Sequence, residues 1–128
     1  MNFALTVLCA PHNEAAHRAL QFATACLASG HTLSQVFFYQ DGVYNANALA
    51  SPPQDELNMA SLWQALQKTH ATKLYVCVAS AIRRGIVDEN EAKRHGVRLA
   101  NLAEGFEIVG LGQLMAATQT SDRCITFG

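Results

Sequence analysis

Two spacings of apolar residues alternate along the chain. Short apolar runs that fit strands cover residues 2–9, 33–39, 73–79, 106–109 and 123–127. Between most of these runs, apolar residues recur every three or four positions, as on one face of a helix. Alternating strands and helices are typical of a parallel sheet covered by helices on both faces. We therefore predict an α/β fold: a three-layer α/β/α sandwich with a mainly parallel sheet of about five strands, in one domain over residues 1–128.

The ends of the first two helices can be predicted from residues that favour helix termini. The first helix begins at Glu14, with Asn13 as N-cap and Gly30 as its stop. The second is predicted to follow Asp55 as N-cap, after a loop over residues 43–54. Its apolar face comprises Met59, Leu62, Trp63 and Leu66.

Three further helical segments are predicted in the second half of the chain. Asp88 with Glu91 resembles a capping box, and this short helix ends at His95 before Gly96. Residues 97–104 are predicted as another helical piece. The last helix carries Leu111, Leu114, Met115 and Thr118.

Composition excludes several classes of function. Half of the residues are apolar and 15% are charged, which suits a packed core rather than disorder. Nine Lys and Arg stand against ten Asp and Glu. Proteins that grip phosphate backbones usually carry a basic surplus, so no direct nucleic-acid binding is expected. Because the start lacks a basic leader and no apolar stretch approaches the length of a membrane span, we expect a soluble, cytoplasmic protein without a membrane segment.

Cysteine and histidine spacing gives no sign of a metal or a cofactor. The four cysteines, at positions 9, 26, 77 and 124, form no C-x-x-C pair, and their wide spacing favours free thiols over disulfides. The five histidines show no ligand spacing, so no metal site is expected. Motifs for a catalytic triad, a P-loop or a dinucleotide site are missing. We therefore expect no cofactor.

Cys77 is the strongest candidate for chemistry. It lies in an apolar run, and a turn containing Arg83 and Arg84 comes next; nearby positive charge favours the thiolate, the nucleophilic form of the thiol. A helix starting at Ser80 would point backbone N–H groups at the strand end and place both arginines in its first turn, where the helix dipole disfavours cations. An unfavourable local choice of this kind is typical of functional sites. The alternative is an inert core cysteine with both arginines in water.

Other candidates are suggested by the position of loops in an open α/β sheet. Residues 9–13, 41–47 and 77–85 each lie at the end of a predicted strand, so all three could converge on one cleft at the carboxyl edge. Tyr44, Asn45 and Asn47 could recognise a partner or cover a site, or merely form a turn. Cys9 is a weaker candidate because no basic residue adjoins it. Cys26 and Cys124 are predicted to be packing residues.

Two long motifs resemble those of a known family. Residues 37–47 have the sequence FFYQDGVYNAN, and residues 77–88 have the sequence CVASAIRRGIVD. Together with Gly105-Phe106, Gly110-Leu111-Gly112 and Asp122-Arg123 near the end, they resemble the DsrE-like sulfur-relay family. The resemblance extends over essentially the whole chain.

This resemblance implies a sulfurtransferase subunit that carries a persulfide on Cys77. Its implied partners are TusB- and TusC-like subunits in a heterohexamer, a TusA-like sulfur donor and a TusE-like acceptor. The sulfur would end in 2-thiouridine at the tRNA wobble position. Arg83 and Arg84 would stabilise the anion or dock an acidic partner surface. Two alternatives stay open: a DsrE-like subunit of dissimilatory sulfur oxidation, and a non-catalytic structural subunit whose Cys77 is merely buried.

Overall fold

The computed structural model describes all residues from Met1 to Gly128, and five strands alternate with helices along the chain. The elements are β1 (Asn2–Val7), α1 (Glu14–Ala28), β2 (Thr32–Phe38), α2 (Met59–His70), β3 (Lys73–Cys77), α3 (Val78–Arg83), α4 (Glu89–Arg94), β4 (Phe106–Val109), α5 (Gly112–Thr120) and β5 (Arg123–Phe127). A 3₁₀ helix, Gln40–Ala46, comes directly after β2. None of the helices combines the length and apolarity that a membrane crossing requires.

All five strands form one parallel sheet in the order β4-β3-β2-β1-β5. Because the strands are parallel, their carboxyl ends lie at one edge of the sheet, where loops and helix starts can build a site. Phe38 of β2 pairs with Val76 of β3, and Cys77 pairs with Val109 of β4. The predicted five-stranded parallel sheet is confirmed.

The main core lies between one face of the sheet and helices α1 and α2. A row of alanines on α1 is fully buried at Ala16, Ala19 and Ala23, and such small side chains let the helix approach the strands closely. Trp63 of α2 packs edge-to-face on Phe38 of β2, with ring centroids 5.4 Å apart. Large aromatic side chains in this geometry contribute strongly to core stability.

Helix α5 lies on the other face of the sheet, which completes the three layers. Its residues Leu114 and Ala117 border a groove of about 310 Å³ together with Ala4, Thr6 and Gln35 of the strands. Strand alternation assigns these residues to the face opposite the Leu5, Val7 and Val36 side chains in the main core. Because α5 lies on this second face, the three-layer prediction is confirmed.

The predicted ends of α1 and α4 are confirmed. The Asn13 side chain accepts a hydrogen bond of 2.9 Å from the backbone N–H of Ala15, as an N-cap should. Gly30, with φ +83°, adopts the left-handed conformation just beyond the last turn of α1. Asp88 Oδ1 accepts from the N–H of Glu91 at 2.8 Å, the backbone half of a capping box.

The predicted cap of α2 is wrong. Asn58, not Asp55, is the N-cap, and its side chain accepts from the backbone N–H of Ser61 at 3.2 Å. The buried residues of α2 are Met59, Trp63 and Leu66. These three residues are spaced by four and three positions, as on one helix face, and Met59 is the first of them. The helix begins at Met59, so the residue just before it is the N-cap.

The helical piece predicted for residues 97–104 is also wrong. Val97 and Leu99 are 49% and 72% exposed, so a helix here would bury no apolar face. The segment instead makes one bridge between Leu102 and Asn47. Asn101 uses its side chain on neighbouring backbone groups, a contact that competes with helix formation.

Candidate functional site

The chain passes from β3 to α3 without a loop, and Cys77 lies at this junction. Cys77 is the last residue of β3 and the N-cap of α3, and its side chain makes no capping hydrogen bond. The strand was expected to continue to residue 79. It ends at Cys77 because pairing with β2 ends at Val76 and pairing with β4 ends at Cys77 itself, so further residues have no ladder to join.

The sulfur position is enclosed in the isolated chain. Cys77 is 2% exposed, and strand alternation assigns its side chain to the sheet face opposite Val76. Cys77 lines neither of the two cavities, of about 620 and 550 Å³, at the carboxyl edge of the sheet. A reaction at this thiol therefore requires a movement of the residues around it.

The predicted position of the two arginines is wrong. Because α3 begins at Val78, Arg83 lies in its last turn and Arg84 is its C-cap. Cations near a helix C-terminus are favoured by the dipole, so the expected local conflict does not exist. Arg83 is exposed and makes no hydrogen bond or ion pair, whereas the Arg84 side chain is only 21% exposed.

Arg84 and Ser80 join α3 to the 3₁₀ helix. The Nε group of Arg84 donates to Oδ1 of Asp41 at 2.8 Å, and its Nη1 donates to the carbonyl oxygen of Ser80 at 3.2 Å. The Ser80 hydroxyl accepts from the backbone N–H of Gln40 at 3.0 Å. The roles of Asp41 and Ser80 were missed in the sequence, because the Asp41–Arg84 contact spans 43 residues and is encoded in no local pattern.

The end of α3 is fixed by Gly85 and Asn101. Gly85 has φ +76°, and two backbone hydrogen bonds, from Gly85 to Ile82 and from Ile86 to Ala81, close a Schellman motif. Asn101 Nδ2 donates to the Gly85 carbonyl oxygen at 2.9 Å. Asn101 Oδ1 accepts from the N–H of Val87 at 2.8 Å. The residue after α3 is thus tied to the loop that leads to β4.

Tyr44, Asn45 and Asn47 lie beside Cys9 rather than beside Cys77. Asn45 is 1% exposed, and its Nδ2 donates to the carbonyl oxygens of Cys9 (3.1 Å) and Gly42 (2.9 Å). Asn47 Oδ1 accepts from the N–H of Leu49 at 3.0 Å. Tyr44 is 37% exposed. Asn47 thus makes a local turn contact, and Asn45 also joins the 3₁₀ helix to Cys9, beyond the end of β1.

A large cavity lies at the carboxyl edge near β1. Its volume is about 620 Å³, and a second cavity of about 550 Å³ shares Pro11, His12, Tyr44, Asn47 and Ala50 with it. Cys9 and Asp41 line the second cavity. No residue of the 77–85 segment lines either one. The predicted convergence is therefore half right: the first two segments share a cavity, and the third only touches the second segment through hydrogen bonds.

The four cysteines are free thiols, as expected, but they differ in environment. Burial raises the pKa of the Cys9 thiol, and backbone hydrogen bonds and Arg18 only partly oppose it. Burial also raises the pKa of Cys26, which lies on the inner face of α1 as predicted. Cys124 was expected to be a packing residue, and this is wrong: it is exposed, because its strand β5 is at the edge of the sheet. No group of three or more His, Cys, Asp and Glu residues is arranged to hold a metal ion.

Comparisons with known proteins assign a family and a fold. The sequence model of the DsrE/DsrF-like family matches residues 1–127. The chain is 52% identical to Sulfurtransferase TusD of Enterobacter sp. (strain 638), across 99% of this chain and 100% of that protein. It is 50% identical to Sulfurtransferase TusD of Cronobacter sakazakii (strain ATCC BAA-894), across 89% of each chain. It is also 50% identical to Sulfurtransferase TusD homolog of Vibrio vulnificus (strain YJ016), across 90% of this chain and 88% of that one.

Among solved structures, the crystal structure of ychN protein from E. coli is similar. It has a TM-score of 0.76 and 21% sequence identity to this chain, across 99% of this chain and 100% of that chain. At this level of identity the likeness shows a shared fold and no more.

Proposed function

Because the chain belongs to the DsrE/DsrF-like family, we propose that it is a sulfurtransferase of a sulfur relay and carries the transferred sulfur on Cys77. Two 50–52% identical relatives are named Sulfurtransferase TusD, which supports the activity class. The observation that supports the residue is the position of Cys77, at the end of a central strand and at the first turn of a helix. We further propose that residues 1–128 form a single domain of this family.

The proposed reaction is a thiolate exchange that needs no external oxidant or reductant. The Cys77 thiolate attacks the outer sulfur of a donor persulfide. The sulfur–sulfur bond of the donor breaks, the donor leaves as a thiolate, and Cys77 becomes a persulfide whose terminal sulfur keeps the proton. An acceptor thiolate then removes that sulfur by the same exchange. The rate of each step depends on thiolate character and on access to the sulfur.

The N-cap position suits an anionic sulfur. An N-cap side chain is placed to accept from the backbone N–H groups of the second and third helical residues, here Ala79 and Ser80. No such bond is made by Cys77 in this structure. A persulfide has an additional sulfur, and once this sulfur has lost its proton to solvent it can accept hydrogen bonds from these N–H groups as an anion.

The supporting residues have separate proposed roles. Arg83 is exposed at the end of α3 and is available to a carboxylate on a partner protein. Arg84 is engaged with Asp41, so we assign it to holding α3 in place. Tyr44 presents an exposed ring beside the larger cavity and is the best partner-contact candidate of its segment. Asn45 and Asn47 support the backbone around it.

The finer assignment concerns partners and pathway. We propose a heterohexamer with TusB- and TusC-like subunits, a TusA-like donor, a TusE-like acceptor and delivery of sulfur to the tRNA wobble uridine. The full-length similarity to proteins named TusD supports this pathway over sulfur oxidation. Deletion of the gene should abolish 2-thiouridine in tRNA, as measured by nucleoside mass spectrometry. Retained 2-thiouridine would instead favour dissimilatory sulfur oxidation.

The central test is transfer of one sulfur atom to Cys77. The whole chain is incubated with glutathione persulfide, and intact-mass and peptide spectra are recorded. We expect the wild type and Cys9→Ser to gain the mass of one sulfur atom at Cys77, and Cys77→Ser to gain none there. If Cys77→Ser gains the same sulfur as the wild type, Cys77 is not the carrier.

One observation favours a non-catalytic structural subunit as the second candidate. Cys77 is 2% exposed, and a thiol that stays sealed cannot exchange sulfur. Under this alternative, Cys77 stays unmodified by persulfide and by iodoacetamide until the protein unfolds. Cys124 is the internal reference, because it is exposed in the same molecule.

A further inference from the structure

Helix α3 starts directly after Cys77, so its position fixes the backbone on one side of the sulfur, and it is too short to hold itself in place. It has six residues, fewer than an isolated helix needs to be stable in water. Cys77 immediately precedes it and is 2% exposed. Contacts from outside the helix are therefore needed to hold α3 in place.

Two of these contacts come from the 3₁₀ helix. Arg84 Nε donates to Asp41 Oδ1 at 2.8 Å, and the Arg84 side chain is 21% exposed. A charge-assisted bond that is shielded in part from water is stronger than an ion pair in open solvent. The second contact is the 3.0 Å hydrogen bond from the Gln40 N–H to the Ser80 hydroxyl, and Ser80 is 5% exposed.

The backbone of Gln40 adds strain to the closed arrangement. Gln40 has φ +52°, one of only two non-glycine residues with positive φ in the chain. A side chain in the left-handed region costs free energy, and such residues persist where surrounding contacts hold them. The Ser80 hydroxyl binds the N–H of this same residue. If this hydrogen bond breaks, Gln40 is free to relax, which favours the open state.

We propose that Asp41, Arg84 and Ser80 are positioning residues that hold α3 closed over Cys77, and that sulfur exchange requires the release of these contacts. The inference rests on the proposed function, since it assigns the gating of the same thiol. Cys77 exchanges sulfur only in the open state, so the strength of the Asp41–Arg84 and Ser80–Gln40 contacts sets its rate. Arg98 is exposed and makes no ion pair, which makes it the charge-matched control.

The test measures how fast iodoacetamide modifies Cys77 in the native chain. Peptide mass spectrometry monitors each cysteine separately at neutral pH. We expect Asp41→Asn and Arg84→Gln each to raise the Cys77 rate about tenfold, which corresponds to about 1.4 kcal/mol in the opening equilibrium. The double variant should equal Arg84→Gln, because that substitution alone already removes the Asp41–Arg84 contact. Ser80→Ala should also raise the rate, while Asp41→Glu should restore part of the closure and Arg98→Gln should stay within about twofold of wild type.

Other cysteines separate local opening from loss of the fold. In these variants Cys9 and Cys26, which are buried, should keep their wild-type rates. An equal rise at all buried cysteines would mean global unfolding and would overturn the proposal, as would unchanged Cys77 rates in Asp41→Asn and Ser80→Ala. Failure of the proposed function looks different: Cys77 then takes no sulfur from glutathione persulfide in any variant, whatever its alkylation rate.

Discussion

Cys77 and Cys9 lie at the same edge of the sheet, yet their surroundings differ. Cys77 ends β3 and leads straight into α3, whose C-cap Arg84 is paired with Asp41. Cys9 comes after β1, leads into a loop, and borders a cavity of about 550 Å³. Burial raises the pKa of Cys9 and keeps it protonated at neutral pH. The two thiols at this edge thus differ in the element that follows the strand, a helix after Cys77 and a loop after Cys9.

The 3₁₀ helix lies between these two regions and contacts both. Asn45 binds the carbonyl oxygen of Cys9, whereas Asp41 and Gln40 bind α3. A change in this segment should therefore affect either one thiol or both, depending on which contact it removes. Substitutions within the 3₁₀ helix can thus separate the two regions.

The largest effect is expected for Gly42→Ala, which should disturb both regions. A Cβ at this position would overlap the carbonyl oxygen of Val7 and lie 2.8 Å from its carbonyl carbon. These are backbone atoms of a central strand, so the 3₁₀ helix itself has to move. We expect a loss of about 3 kcal/mol in the free energy of unfolding, measured by urea titration, and faster alkylation of both Cys9 and Cys77.

Gly112→Ala is the matched control for this substitution. It lies at the start of α5, and a Cβ there would meet no atom within 4 Å. Alanine at a helical position is favoured over glycine by about 0.5–1 kcal/mol, so the control should be neutral or slightly more stable. A Gly42→Ala protein as stable as the wild type would show that the 3₁₀ helix is not packed tightly against β1.

The next effect in size is expected for Asn45→Ala, which should loosen only the region of Cys9. The substitution removes both hydrogen bonds from Nδ2 and leaves the buried carbonyl oxygens of Cys9 and Gly42 without that donor. We expect a loss of about 1–3 kcal/mol in urea unfolding. Alkylation of Cys9 should accelerate more than that of Cys77.

Tyr44→Phe is the control for the neighbouring position. The Tyr44 hydroxyl makes no hydrogen bond within the protein, and the ring is 37% exposed, so stability should stay within about 0.5 kcal/mol of wild type. Equal acceleration at both cysteines in Asn45→Ala would contradict the separation of the two regions.

Local patterns in the sequence were sufficient for the sheet and for several helix ends. Apolar runs predicted all five strands, and Asn13, Asp88 and Gly30 marked helix ends because capping depends on residues close in the chain. The end of β3 was harder to predict from the sequence. The run through Cys77 and Val78 is apolar on both sides of the junction, and only the length of the neighbouring strands shows where pairing stops.

The arrangement around Cys77 depends on contacts between distant residues. The placement of Arg84 required its partner Asp41, 43 residues away, and the hydrogen bond of Ser80 required Gln40, 40 residues away. Asn101 lay in a segment that was predicted as a helix. The spacing of apolar residues could not predict its hydrogen bonds to Gly85 and Val87. The apolar run and the basic turn after it indicated Cys77 as a candidate, but they did not reveal that the sulfur is buried.

The smallest expected effect is a dependence of stability on alkaline pH that comes from Cys9. Burial raises the pKa of this thiol in the folded chain. Below the ordinary thiol pKa of about 8.5, the Cys9 thiol is protonated in both the folded and the unfolded chain. In this range the raised pKa contributes its full amount to the free energy of unfolding. As the pH rises above that value, the unfolded chain loses the proton first and therefore binds fewer protons than the folded chain. The free energy of unfolding must then fall, until the pH passes the raised folded value.

Urea titrations between about pH 7 and pH 10 should detect this fall, a range that spans the ordinary thiol pKa. Cys9→Ala removes the titrating group, so its free energy of unfolding should decline less steeply above about pH 8.5 than that of the wild type. The smaller side chain of Cys9→Ala also lowers the free energy of unfolding by a constant amount, which does not change its slope against pH. Because burial also raises the pKa of Cys26, adding Cys26→Ala should flatten the curve further. Parallel curves for wild type and Cys9→Ala would mean that Cys9 is hydrated in the folded protein, which would remove the contrast with Cys77.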